Sequence, residues 1–168
     1  MNKRQKGFSL IELLIVVAII LIIAAIAIPN LMRAKMAANE ASAVGSLRTI
    51  TTAEVTYSTT YDIGYAPLAD LGGALPCTAG TSSGACLLDP VLAAGVKSGY
   101  TLTTPIPTTV GTTTAPNTGF VADAVPVSLG TSGQRSFCTD ESGVIRFDPA
   151  GTAAPATETA CEALTALQ

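Results

Sequence analysis

From Phe8 to Ile28 every position is apolar except Ser9 and Glu12, a run of about twenty-one residues closed by Pro29. A helix rises about 1.5 Å per residue, so this run is long enough to cross a hydrocarbon layer of roughly 30 Å. Beyond Pro29 the pattern changes but keeps a helical period. Val44, Leu47, Ile50, Ala53, Tyr57 and Tyr61 recur every three to four residues on one face, and Arg33, Lys35, Glu40, Arg48 and Glu54 are placed away from it. The two patterns together predict one helix from about Ser9 to Tyr61, with Gly64 as its stop signal. At about 80 Å such a helix is too long for one small globule to bury. Its first half needs partners elsewhere, while its second half can back a sheet.

From Ala66 onward Gly, Pro, Thr and Ser punctuate short apolar runs, the texture of loops and strands. Strands are predicted at Gly99–Thr103, at Gly119–Val125 and at Arg135–Thr139. The last begins a hairpin that turns at Asp140-Glu141-Ser142-Gly143 and returns through Val144–Phe147. Pro126 ends its strand or marks an edge. Thr103 to Asn117 and Pro149 to Ala160 read as polar surface segments. The fold class is α+β: one long N-terminal helix with a small antiparallel sheet of three to four strands packed on its C-terminal half.

Charge sharpens the first segment. Lys3, Arg4 and Lys6 precede the apolar run, which by the positive-inside rule keeps the N-terminus cytoplasmic and exports the chain beyond Pro29. Glu12 is the anomaly, since a carboxylate inside a span costs on the order of 2.5 to 3.5 kcal/mol and needs a partner. Ser9-Leu10-Ile11-Glu12 has the spacing of a capping box, which explains helix initiation but not the residues before it. An ordinary secretory signal, cut after Ala25-Ile26-Ala27, competes; against it stand the length of the apolar run and the acid near its start.

Zero histidines removes the usual general base, and neither a nucleophile with its base nor a phosphate-cradling loop is present, so the sequence offers no case for an enzyme and no cofactor. From Asp62 onward three bases face nine acids, a balance that disfavours nucleic acid as a partner. The four cysteines fall on the exported side, where disulfides persist, and allow three connectivities. Cys77 and Cys86 flank a flexible Gly/Ser/Thr segment that closes on itself, which favours Cys77–Cys86 and leaves Cys138–Cys161. Without histidine or a Cys-x-x-Cys pair the cysteines do not read as a metal site.

Lys6-Gly7-Phe8-Ser9-Leu10-Ile11-Glu12 resembles the class III leader junction of type IV pilins and type II secretion pseudopilins. The resemblance is strong from Lys6 to about Tyr61 and general beyond it. It implies a leader at 1–7, a membrane and polymerisation half of the helix at 8–29, an amphipathic half at 30–61 and a loop-rich β-domain at 62–168. It also implies cleavage after Gly7 by prepilin peptidase, N-methylation of Phe8, and pairing of Glu12 with the N-terminal amine of a neighbouring subunit. Pro29 stands where many pilins carry a helix-loosening proline, a kink position. A bridge between Cys138 and Cys161 is similar to the clasp many pilins place around a C-terminal segment. The partners implied are the chain itself in a helical homopolymer, the inner membrane, the peptidase and a pilus or secretion assembly platform. The locations implied are the inner membrane before assembly and a surface pilus or periplasmic filament after it. Loss of residues 1–7 removes three of nine bases and none of twelve acids, taking the formal charge from −3 to −6. Secretion pseudopilins commonly bind calcium in their C-terminal region, and Asp140-Glu141 is the pair to test here, although two acids at a turn are more often simply solvated.

Overall fold

The computed structural model describes residues 8–73, 76–77, 79–107 and 111–167, so the expected leader at 1–7, Gly7 included, lies outside the described residues. Helix α1 runs Leu10–Tyr61, 52 residues, with Pro29 inside it. Proline has no N–H to give the carbonyl of Ala25 four residues back, which removes one helical hydrogen bond. Two compact units divide after Lys35, and α1 contributes to both.

In the first unit every described large apolar side chain from Phe8 to Met32 is exposed. This is a helical surface that water does not favour.

In the second unit α1 presents Ala43, Leu47, Ile50, Ala53 and Tyr57 to the core, with Leu47, Ile50 and Tyr57 fully buried. Burial of such side chains contributes roughly 1.5–3 kcal/mol each. Glu40 and Glu54 lie on that same face and are buried, a correction to their expected place away from it. The reason is arithmetic: each stands seven residues from Leu47, two turns along the helix. Several hydroxyls on this stretch of α1, including Thr49, Thr52 and Thr56, donate to the carbonyl four residues earlier. Tyr61 is the last helical residue, and Asp62 (φ 57°) takes the left-handed conformation that ends α1, two residues ahead of Gly64.

Two short helices, α2 (Leu68–Leu71) and α3 (Pro90–Ala93), precede the sheet; Asp89 caps α3 by accepting from the N–H groups of Val91 and Leu92. The sheet has six strands, β1 (Val96–Lys97), β2 (Tyr100–Ile106), β3 (Val121–Pro126), β4 (Ser136–Asp140), β5 (Arg146–Asp148) and β6 (Thr165–Ala166). They pair antiparallel in chain order, a meander. The expected count of three to four falls short by the two outermost strands. Each of these has two residues, too few to show a period. A two-residue turn with Ser98 (φ 50°) and Gly99 (φ 74°) creates β1, the geometry that matches strand twist. The return of the C-terminal tail after α4 (Glu158–Glu162) creates β6.

The second strand also runs beyond Thr103 into the Thr/Pro stretch expected to be loop. It passes Pro105 at a register shift between Thr103 and Ile106, the kind of irregularity that accommodates proline inside a sheet. Pro126 ends β3, which is an interior strand.

Sheet alternation gives two different faces. Leu102, Ala122, Ala124 and Phe137 join the core with α1, while Val121 and Cys138 cluster with Cys161 and Leu164 of the C-terminal tail on the other side. The second face is covered by that tail and carries unusual polarity. Asp123, Ser136 and Asp140 on it are all buried.

Candidate functional site

At the start of the described chain Leu10 opens α1, the Leu13 N–H donates to the Ser9 carbonyl at 3.3 Å, and the Ser9 N–H donates to Glu12 Oε2 at 3.0 Å. This is the carboxylate half of a capping box, and it turns the Glu12 side chain back toward Phe8. An acid in the first turn also suits the positive end of the helix dipole. Phe8 itself is largely exposed at 82 %. By length and composition α1 is long and apolar enough to cross a membrane.

A separate set of contacts holds the second unit together. Glu40 Oε2 accepts from Arg135 Nε at 2.9 Å and Nη2 at 2.7 Å, and Oε1 accepts from the backbone N–H groups of Gln134 and Arg135 at 2.9 and 3.2 Å. Burial pushes the Glu40 carboxyl up, but the Gln134 amide and the Arg135 guanidinium outweigh it and hold the group below the usual range. The same guanidinium lies over the rings of Phe137 and Phe147 at 5.4 and 5.3 Å. Beside it, Asn39 Nδ2 donates to the Ser132 carbonyl at 2.8 Å. These contacts tie α1 to the segment that leads into β4.

Cys77 is bonded to Cys86, and Cys138 to Cys161. The first bridge closes a ten-residue loop whose Ser82 carbonyl accepts from the Tyr57 hydroxyl; the second fastens α4 to the middle of β4. Asp140 is neither solvated nor open to a cation, a correction to the turn reading. Its carboxylate accepts from Arg146 Nη1 at 2.7 Å and from the N–H and hydroxyl of Ser142, and it is 1 % exposed. Among the described residues no group of three or more His, Cys, Asp and Glu side chains has the arrangement to hold a metal ion. An open cleft of about 280 Å³ between Arg48, Gly143, Val144, Ile145 and Leu167 offers one cation, apolar side chains and backbone, with no nucleophile and base.

Sequence reasoning missed Glu40, Glu54, Asp123 and Arg135 as structural residues. The signal for the first two was their seven-residue spacing from Leu47. For Asp123 it was an acid in the middle of the apolar run Val121–Val125, and for Arg135 none was available without its partner.

A family profile described as "Prokaryotic N-terminal methylation motif" matches residues 2–28. The chain carries the N-methylation motif of prokaryotic prepilin leaders. Among curated relatives, it is 42 % identical over 74 residues to the type IV major pilin protein PilA of Myxococcus xanthus, covering 39 % of this chain and 34 % of that protein. It is 60 % identical over 38 residues to the type IV wide pilus major component PilA4 of Thermus thermophilus, covering 23 % of this chain and 29 % of that one. The chain thus spans about a third of the length of the curated relatives it matches. No solved structure matches. Beyond the prepilin motif, a long N-terminal helix whose C-terminal part packs on an antiparallel sheet is the architecture of the type IV pilin fold.

Proposed function

We propose that this chain is a structural subunit of a type IV pilus-like filament, held in the inner membrane by Phe8–Ile28 until assembly. Prepilin peptidase cuts after Gly7 and methylates the new amine of Phe8, and an assembly platform feeds the subunit into a homopolymer. It acts by packing and has no catalytic role; Pro29 serves as the point where α1 loosens in the filament.

The observation that carries this reading is Glu12, an acid in an otherwise apolar, exposed helical surface, its side chain turned toward the position of Phe8. Burying that surface against other copies would strand the carboxylate unless a cation meets it. Once the leader is removed, the amine of Phe8 is a cation borne by every copy. Glu12 then sets register, because one axial offset between helices joins acid to amine, as a buried polar residue does in coiled coils.

The test is mass spectrometry of filaments sheared from the cell surface, with Glu12→Ala alongside. The mature mass is expected to begin at methylated Phe8, and Glu12→Ala is expected to insert in the membrane but yield few filaments; normal filament yield refutes the pairing. The pseudopilin of a type II secretion system is the less favoured reading, since both relatives are pilus components by name. Absence of sheared polymer together with periplasmic retention of secreted enzymes would reverse that order.

A further inference from the structure

Where α1 hands over to the rest of its unit, one carboxyl group holds the connection from inside. Glu54 is 0 % exposed; its Oε2 accepts from the Ala66 N–H at 2.9 Å, and its Oε1 has no hydrogen-bond partner among the described residues. The bond spans the chain reversal, joining the last turns of α1 to the segment after Asp62 and Gly64, both left-handed. Ala66 is itself fully buried, and the Tyr65 ring next to it packs tilted against Phe120 with centroids 4.9 Å apart, so the bond seats this segment against the core.

The surroundings decide the charge of that carboxyl. Its titratable neighbours are the phenols of Tyr57 on α1 and Tyr65 on the connecting segment. Beyond these, Asp70 of α2 and Tyr61 act on Tyr57, and Glu141 after β4 acts on Tyr65. All of these are neutral or negative. No Lys or Arg forms an ion pair with Glu54 among the described residues, in contrast to Glu40 and Asp140, each of which has its arginine. A carboxylate with one donor and no cation is poorly placed in such an interior, and keeping the proton removes the buried charge, which costs far more than one unpaired neutral polar group.

We propose that Glu54 is a proton-controlled latch: as the neutral acid it holds the 62–66 connection onto α1 and the sheet, and its ionisation under alkaline conditions releases that connection while the rest of the core stays folded. Burial pushes the group up to about 8, with the Ala66 amide offsetting part of the rise, in line with the geometry. A raised folded value means that the latch is strongest below the unfolded value near 4.5 and weakens as pH rises through the folded one. One proton released on opening makes opening about tenfold easier per pH unit across that window.

The experiment is hydrogen–deuterium exchange on the full chain in detergent micelles from pH 6 to pH 9, for the wild type and Glu54→Gln, corrected for intrinsic exchange. The Ala66 amide of the wild type is expected to lose protection by at least tenfold over this range, while amides of β3 and β4 hold theirs. The carboxamide of Glu54→Gln keeps an acceptor for Ala66 and cannot ionise, so Ala66 protection in that variant is expected to stay within about twofold. A wild-type response matched by Glu54→Gln, or one shared equally by β3 and β4, overturns the proposal. If Glu54→Gln does not fold, the ¹³C carboxyl shift of glutamate-labelled wild type decides: a buried glutamate with a midpoint above pH 7 supports the latch, and no glutamate above pH 5 overturns it.

Discussion

Replacing Glu40 by glutamine tests whether the clasp between α1 and the segment leading into β4 holds the unit together, as its geometry implies. The carboxylate accepts four hydrogen bonds, two on each oxygen, from Gln134 N–H and Arg135 N–H, Nε and Nη2. A carboxamide has one acceptor oxygen, so whichever way the new side chain is turned, its NH₂ faces two donors. Hydrogen bonds to charged groups contribute about 1.5–3 kcal/mol, and breaking a buried ion pair from one side costs about 3–5 kcal/mol. The Arg135 side chain is 39 % exposed and recovers part of its hydration, which brings the expected loss down to about 2 kcal/mol. For a unit of this size that corresponds to a drop in Tm of roughly 5–10 °C.

A thermal melt of the full chain in detergent, followed by near-ultraviolet circular dichroism, reads this directly. The pH dependence separates the ion pair from mere loss of packing. Glu40 is held below 4.5 in the folded state, so its contribution is complete above 4.5 and disappears as pH falls through the folded value. The gap between wild type and Glu40→Gln is therefore expected to be full at pH 7 and to close in acid. A gap that persists unchanged at pH 3, or a variant melting within about 1 °C of wild type at pH 7, refutes the reasoning.

The bridge Cys138–Cys161 closes the longer loop, with a sequence separation of 23 against 9 for Cys77–Cys86, and loop-closure entropy assigns them about 3.4 and about 2.6 kcal/mol. Paired Cys→Ser replacement at 138 and 161 is therefore expected to lower the denaturant midpoint more than replacement at 77 and 86, and to open the tail after Pro149 to protease. Asp123, buried on β3 and accepting from the Thr103 hydroxyl at 2.6 Å, is pushed up to about 6 by burial. Its contribution is present below 3.8 and lost as pH rises through about 6, so Asp123→Asn is expected to gain in Tm relative to wild type between pH 4 and pH 7. Equal pH profiles would show that Asp123 is not the titrating group. Gly7→Leu is expected to leave the leader attached, read as an intact mass retaining residues 1–7; normal cleavage would remove Gly7 from the processing site.

Elements with a long period were legible in the sequence. The apolar run Phe8–Ile28 and the spacing of Leu47, Ile50 and Tyr57 placed the start of α1 to within one residue and its end at Tyr61. The hairpin around Gly143 was legible because glycine supplies the positive φ its turn requires, and Gly143 has φ 71°. Strands β1 and β6 were not, since two residues carry no alternation and both exist through their neighbours: a Ser98-Gly99 turn for one, the tail anchored by Cys161 for the other.

The acids of the second unit show where pattern reading stops. Glu40, Glu54 and Asp123 all look like surface residues by type, yet each is buried, and each is tolerated by a different device. Glu40 meets an arginine ninety-five positions away, Asp123 meets one threonine hydroxyl across the β2–β3 pair, and Glu54 meets a single amide after the chain reversal. A buried carboxyl survives either by finding enough donors to remain charged or by keeping its proton, and which course it takes depends on residues distant in sequence. The same choice faces Glu12 in the apolar half of α1. Among the described residues its one hydrogen-bond donor is the Ser9 amide, as that of Glu54 is the Ala66 amide. The difference is that Glu12 lies on an exposed surface, where a second copy can supply the missing cation and Glu54 has no such access. On the two proposals made above, two acids with one described donor each and opposite exposure have opposite outcomes, Glu12 completed by assembly and Glu54 sealed by folding.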